Sequence, residues 1–302
     1  MSILIDEKTT VLVQGITGRE GSARTRYMLD YGTKVLCGVT PGRAGAEVHG
    51  LPVYNNVADA VKAHGQIDAT VVFVPAPQLK GAVLEAIEAG IKLIVASGER
   101  VPLHDTMEML AVARQKGARV LGPGCMGLVS TNKAALGWLG ANKTYAKEIF
   151  IPGPVGVMSR SGGQTSTVVW ALTSRGLGIT TAVHVGTEPL IGCNFPEVLP
   201  LFEADTETKA CVLFGEIGTV AEEEAAEVIK EGRFTKPLVA YIAGRTLPSG
   251  MRFSHASAII ERGRGTAESK VNALRSGGGY VVDSPQVIPI VMAKILGKNT
   301  KL

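Results

Sequence analysis

The run Thr10–Gln14, TVLVQ, leads straight into Gly15-Ile16-Thr17-Gly18-Arg19-Glu20-Gly21. A near-continuous apolar run of this length reads as a strand buried on both faces. The glycines then turn the chain into a helix, whose first N–H groups form a natural phosphate cradle. The spacing is G-x-x-G-x-x-G, not the dinucleotide pattern G-x-G-x-x-G. A plain strand-to-helix turn without a ligand has the same appearance, so this motif leaves both readings open.

The pattern repeats outward from this turn. Further apolar runs stand at 34–39 (KVLCGV), 69–74 (ATVVFV) and 92–97 (KLIVAS). Helical spacing separates them, at 78–89 and 104–116, each stopped by a glycine. Strands alternating with helices predict right-handed βαβ units and an α/β fold. From 122 to 154 the chain is rich in Gly, Pro, Asn and Lys, with weak periodicity. A second series begins at Val155, with strands near 179, 210 and 238 and helices at 221–231 and 266–275. We therefore expect a Rossmann-like domain over 1–125, a linker over 126–154 and a flavodoxin-like α/β domain over 155–302.

A length of 302 residues fits two domains, and 45% hydrophobic with 19% charged residues is globular composition. A net charge of +4 is too weak for a nucleic-acid arm or a polybasic membrane patch. Aromatics at 5% leave little surface for stacking nucleic-acid bases. No apolar run approaches the ~20 residues that span a bilayer. The four cysteines are far apart, without C-x-x-C, so neither a disulfide framework nor a metal site is predicted. A reduced, cytoplasmic setting fits this usage best.

Several residues carry possible chemistry. A NAD site places an acid at the end of its second strand to bind the ribose hydroxyls. Here that place reads Thr40-Pro41-Gly42-Arg43, and a cation suits a phosphorylated ribose, as in NADP or coenzyme A. His255 lies in an irregular loop among small residues, accessible as a nucleophile requires. His184 ends an apolar strand, as a core or site-edge residue would. Glu216 ends the strand ACVLFGE, where open α/β sheets place their sites. A carboxylate there can hold the far nitrogen of a histidine. Glu222, Glu223 and Glu224 read only as favourable charges in a helix's first turn. Ser159-Arg160-Ser161-Gly162-Gly163 forms a second strand-to-helix anion cradle. Ser161 does not stand in a G-x-S-x-G elbow, and no P-loop pattern occurs.

Taken together, the chain resembles the alpha subunit of succinyl-CoA synthetase (succinate–CoA ligase, NDP-forming). The resemblance rests on GITGREG, YGTKVLCGVTPGRAG, VPAPQLKGAVLEAIEAGIKLIV, GEIGTVAEEEAAEVIK, and YIAGRT followed by SHASAIIERGRGTAESKVNAL. It runs nearly end to end. It implies an ATP-grasp beta subunit that carries ATP or GTP with magnesium, in an αβ or α2β2 complex. Phosphate then passes through a histidine to a small carboxylic acid, and coenzyme A takes the acyl group. The resemblance assigns the histidine to His255 and its supporting carboxylate to Glu216. It assigns CoA contacts to Thr17, Gly18, Arg19, Glu20, Arg43, Ser97, Gly98, Glu99 and Cys125. Phosphate and acid fall to Ser161, Gly162, Gly163 and Ser166.

The departures from the family pattern bear on the acid. The usual G-H-A-G is Ser254-His255-Ala256-Ser257, and G-P-N-C-P-G is Gly122-Pro123-Gly124-Cys125-Met126-Gly127. A family tyrosine is replaced by Ser166 and a family glutamate by Thr167. Lost bulk and added hydroxyls predict an acid larger or more polar than succinate, such as malate or citrate, with succinate as the default. Two other classes remain: an NADP-dependent oxidoreductase, permitted by Arg43, and a non-catalytic CoA-binding protein of the same fold.

Overall fold

The computed structural model describes residues 2–140, 142–245 and 265–298. The first series gives β1 (Thr10–Gln14), α1 (Arg19–Tyr31), β2 (Lys34–Val39), β3 (Glu47–Val48), β4 (Leu51–Tyr54), α2 (Val57–His64) and β5 (Ala69–Val72). It continues through α3 (Ala76–Glu88), β6 (Leu93–Ala96), α4 (Leu103–Lys116) and β7 (Arg119–Leu121). The second series gives β8 (Gly127–Ser130), β9 (Ala134–Gly137), α5 (Lys143–Ile149), β10 (Pro152–Ser159), α6 (Gly162–Thr173), β11 (Ile179–His184) and α7 (Phe195–Ala204). Then follow β12 (Ala210–Glu216), α8 (Ala221–Lys230), β13 (Leu238–Ala243), α9 (Ala267–Ser276), β14 (Tyr280–Val281) and α10 (Ile288–Ile295).

The first sheet runs β3-β4-β2-β1-β5-β6-β7. Its parallel part has the doubly wound order of a Rossmann fold, with β3 added antiparallel at the edge. The second sheet runs β14-β13-β12-β10-β11-β8-β9. Its five parallel strands have the flavodoxin order. Strand alternation divides the first domain's core. Leu12 faces α2, α3 and α4 in one cluster, while Val11 and Val13 join Met28 of α1 in the other.

That second cluster does not stop at the first domain. It continues into β8, β9 and the second sheet through Leu128, Leu136 and Val183. The stretch 126–154 is thus not a bare linker: β8 pairs antiparallel with β11, and β9 with β8. It also clamps the first domain. Thr33 Oγ1 donates to the Ala135 carbonyl at 2.8 Å and accepts its N–H at 2.9 Å. The Tyr27 hydroxyl donates to the Leu139 carbonyl. Short strands rich in glycine give little periodicity, which is why the sequence reads as a connection there.

Candidate active site

At the end of β1, Gly15 takes φ +79°, and a Cβ there would lie 2.4 Å from the Phe73 carbonyl oxygen. A Cβ on Gly21 would lie 2.1 Å from the Gly15 carbonyl oxygen. These contacts let the start of α1 sit directly against the strand end. The Gly18 N–H closes the turn onto Gly15 O at 3.0 Å. Among the described residues no side chain caps α1, so its first-turn N–H groups keep their capacity for an anion. The helix start opens on a crevice of about 400 Å3, bordered by Gln14, Thr17, Thr40, Phe73, Gln78 and Glu85. This is the point where the strand order reverses, between β1 and β5.

The CoA contacts expected from the sequence lie along one edge of the first sheet. Thr17 and Gly18 line the crevice, and Thr17 Oγ1 donates to Thr40 Oγ1 at 3.1 Å. The Arg19 side chain is 93% exposed, while Glu20 pairs with Arg24 at 3.1 Å. Arg43 is exposed on the loop after β2, tied back by its N–H to Thr40 O at 3.1 Å. Ser97 and Gly98 follow β6: Ser97 Oγ donates to Val72 O, and Gly98 O accepts the Gly124 N–H at 2.8 Å. Glu99 is exposed beside them.

Cys125 stands on the loop after β7. Its thiol is buried, donates to the His184 carbonyl at 2.8 Å and accepts the Gly127 N–H at 3.2 Å. Burial pushes it up to about 12.

In the second domain the strand order reverses between β10 and β12. Ser159-Arg160-Ser161 leaves β10 here, and α6 begins with Gly162 and Gly163. Ser161 Oγ accepts the Gln164 N–H at a long 3.5 Å. A Cβ on Gly162 would strike Met126 Sδ at 2.0 Å, whereas one on Gly163 would meet open space. Met126 thus covers one side of the helix start, and Gly163 leaves the other accessible. Ser166 is half-buried one turn further along. Glu216 ends β12 with its side chain 12% exposed, and its carboxylate lies 3.8 Å from Arg160 Nε.

Arg160 is one of the largest fully buried side chains. Its Nη2 donates to the Glu188 carbonyl at 2.9 Å, while among the described residues Nε and Nη1 have no hydrogen-bond partner. Burial lowers its pKa, against the opposing pull of Glu216, Glu222 and Glu188. Sequence reasoning did not single this arginine out; its signal was a cation directly at a parallel strand's end. His184 is a satisfied core residue. Nδ1 accepts the Met126 N–H at 2.8 Å, so the proton sits on Nε2 and is directed to the Arg160 carbonyl at 3.2 Å. His255 lies outside the described residues. The chain leaves them at Arg245, just past β13, and returns at Gly265, whose carbonyl accepts the Gly218 N–H at 2.8 Å.

A CoA-binding-domain family model matches residues 6–99, and a CoA-ligase family model matches residues 158–279. The chain is 49% identical over 296 residues to the succinate–CoA ligase [ADP-forming] subunit alpha 2 of Archaeoglobus fulgidus, covering 98% of this chain and 100% of the relative. The chain belongs to the succinate–CoA ligase alpha-subunit family. It is also 46% identical over 288 residues to an ADP-forming sulfoacetate-CoA ligase subunit, SqwL, of an Acholeplasma species, covering 95% of this chain and 96% of that one. Among solved structures it matches ATP citrate lyase from Methanothrix soehngenii in complex with citrate and coenzyme A. That match has a TM-score of 0.89 and 26% identity over 99% of this chain. The chain spans about half of that lyase, 52% of its length.

The two family matches cover the two strand-to-helix turns at α1 and α6. The CoA-binding match contains the whole α1 crevice, and the ligase match contains Arg160, α6, Glu216 and His255. The oxidoreductase reading loses its basis, because the domain that holds the crevice matches a CoA-binding family. Among the described residues no helix is long and apolar enough to cross a membrane, and no group of three or more His, Cys, Asp or Glu is set to hold a metal.

Proposed function

We propose that this chain is the CoA-binding and phosphate-relaying alpha subunit of an NDP-forming acid–CoA ligase. The observation that carries the reading is the uncapped α1 start opening on the strand-order reversal, within the CoA-binding domain match. In this reading the α1 N–H groups, Thr17 and Gly18 hold the CoA phosphates, and Arg43 adds a cation. Arg19, Glu20, Ser97, Gly98 and Glu99 border the same ligand.

An ATP-grasp beta subunit, in an αβ or α2β2 complex in the cytoplasm, supplies ATP or GTP with magnesium. A neutral His255 nitrogen attacks the terminal phosphorus, and the nucleoside diphosphate leaves. The acid's carboxylate takes the phosphoryl group from His255, and the CoA thiolate then displaces phosphate from the acyl carbon. Glu216 orients the imidazole and offsets its charge. Ser161, Gly162 and Gly163, at the start of α6, receive the phosphoryl oxygens.

The acid in this reading is a short one with a second anionic group. Relatives at 49% and 46% identity are named for succinate and sulfoacetate, which share that chemistry. Ser166, half-buried where the family resemblance places a tyrosine, supports a bulkier or more polar acid such as malate or citrate. The test is reconstitution with the beta subunit, then CoA-dependent ADP or GDP release with succinate, sulfoacetate, malate and citrate. We expect activity with one of these acids and its loss in His255→Ala. No turnover with any acid, and no acid-labile phosphate on the chain, would leave a CoA-binding protein without ligase activity.

A further inference from the structure

The loop after β11 touches both sites. Glu188, 7% exposed, accepts the Arg100 N–H through its carboxylate Oε1. Arg100 directly follows the Ser97-Gly98-Glu99 stretch assigned to CoA, and it takes φ +58°. A non-glycine residue in this left-handed region persists only where its surroundings hold it there. The hold is local and specific. Gly98 O accepts the Gly124 N–H at 2.8 Å, and Thr187 Oγ1 donates to Gly124 O at 3.4 Å.

The same Glu188 turns its backbone carbonyl to the other domain. That carbonyl accepts Arg160 Nη2 at 2.9 Å, and Arg160 Nε lies 3.8 Å from Glu216 Oε1. Among the described residues Nε and Nη1 have no hydrogen-bond partner, so the Glu188 carbonyl is the acceptor that anchors the guanidinium there, beside its ion pair with Glu216. Through these two bonds, a ligand that displaced the Arg100 backbone would also displace Glu188 and the cation facing Glu216.

We propose that Glu188 is a positioning residue that couples the seating of CoA at Ser97–Arg100 to the Arg160–Glu216 pair. Occupancy of the CoA crevice then sets the rate at which the histidine takes up phosphate. The inference rests on the function proposed above. It adds a coupling between the two half-sites, carried by one residue.

The test uses the complex with its beta subunit and desulfo-CoA, a CoA analogue that seats but lacks the thiol. Phosphohistidine formation from Mg-ATP is timed with and without the analogue, and each protein's ratio is its own control. For the wild type we expect a ratio of about fivefold or more in either direction. In Glu188→Ala the ratio falls to one at saturating analogue, whatever the variant's basal rate. Glu188→Gln keeps an acceptor for the Arg100 N–H and retains the ratio, as rescue requires. It also serves if the alanine variant fails to fold. A wild-type ratio of one, or an unchanged ratio in Glu188→Ala, overturns the coupling. Absence of any phosphohistidine in the wild type removes the ligase reading and the coupling with it, a result distinct from phosphorylation that ignores the analogue.

Discussion

Lys270 and Glu222 form an ion pair in which both side chains are fully buried. Lys270 Nζ also donates to the Gly218 carbonyl at 2.7 Å. Glu222 Oε1 in turn accepts the Glu216 N–H at 3.0 Å. The pair thus fastens α8 and α9 to the strand end that presents Glu216. Its neighbour Glu223 accepts the Gly265 N–H at 3.0 Å and Ser269 Oγ at 2.8 Å. Glu222 and Glu223, read from sequence only as favourable first-turn charges, therefore hold the end of β12 and the start of α9 in place.

Breaking this pair from one side should be costly. Lys270→Met leaves the Glu222 carboxylate buried without its ion-pair partner. Such losses cost about 3–5 kcal/mol, whereas replacing both partners is often near neutral. We expect Lys270→Met to lower the denaturation midpoint strongly, and Lys270→Met with Glu222→Leu to recover much of the loss. Urea unfolding of the single and double variants measures this. Equal destabilisation in both would mean that the pair's geometry matters less than its cavity.

Gly18 and Gly21 should fail in different ways. A Cβ on Gly21 would sit 2.1 Å from the Gly15 carbonyl oxygen, so Gly21→Ala must push α1 off β1. A destabilisation of about 1–3 kcal/mol is expected. A Cβ on Gly18 comes only to 3.3 Å from the same oxygen, which a small adjustment relieves. Gly18→Ala should keep nearly the wild-type melting temperature, yet weaken CoA about tenfold or more by standing in the phosphate's path. Calorimetric titration with CoA, beside thermal melts, separates the two effects.

The first sheet was legible because strands buried on both faces leave unbroken apolar runs. The run at 10–14 coincides with β1 and the run at 34–39 with β2. The crevice was legible because glycine is required where Gly15 takes a positive φ. The fastening between domains was not. Thr33, Tyr27 and Ala135 look like ordinary helix-end and strand residues until the chain brings them together. Nor was the burial of Lys270, since a lysine in a helix's first turn normally faces water. Nor was the place of Glu188 between the two domains. Its two contacts join residues distant in sequence, which no local pattern encodes.

The four cysteines should be silent in the folded protein. All are free and buried. Burial pushes the Cys37, Cys125 and Cys193 thiols up to about 12 and the Cys211 thiol higher still. The thiolate is the reactive form, so at pH 8 each is starved of it as well as shielded. Titration with an aromatic disulfide reagent should find less than about one fast-reacting thiol in the native state, and all four cysteines in denaturant. Fast native labelling of Cys125 would show that the region around His184 opens.

Acid sensitivity should trace in part to Glu203, which closes the turn before β13. Its carboxylate accepts the Thr235 N–H at 2.9 Å, the Thr235 hydroxyl at 2.7 Å and the Lys236 N–H at 3.4 Å. Burial raises its pKa, but those hydrogen bonds and the Lys236 charge outweigh it, so the folded value lies below the ordinary 4.5. The folded state therefore binds its proton later than the unfolded chain does. The stabilisation is fully present above the unfolded value, and it is lost as pH falls through the depressed folded value. Glu203→Gln should melt below the wild type by a constant margin at pH values above about 5. The two curves should converge as the pH is taken below the folded value. Melting temperatures of both proteins, in a buffer series of constant ionic strength, test this directly. A margin that stays the same down to the acid limit would mean that Glu203 acts through shape, with its charge contributing nothing.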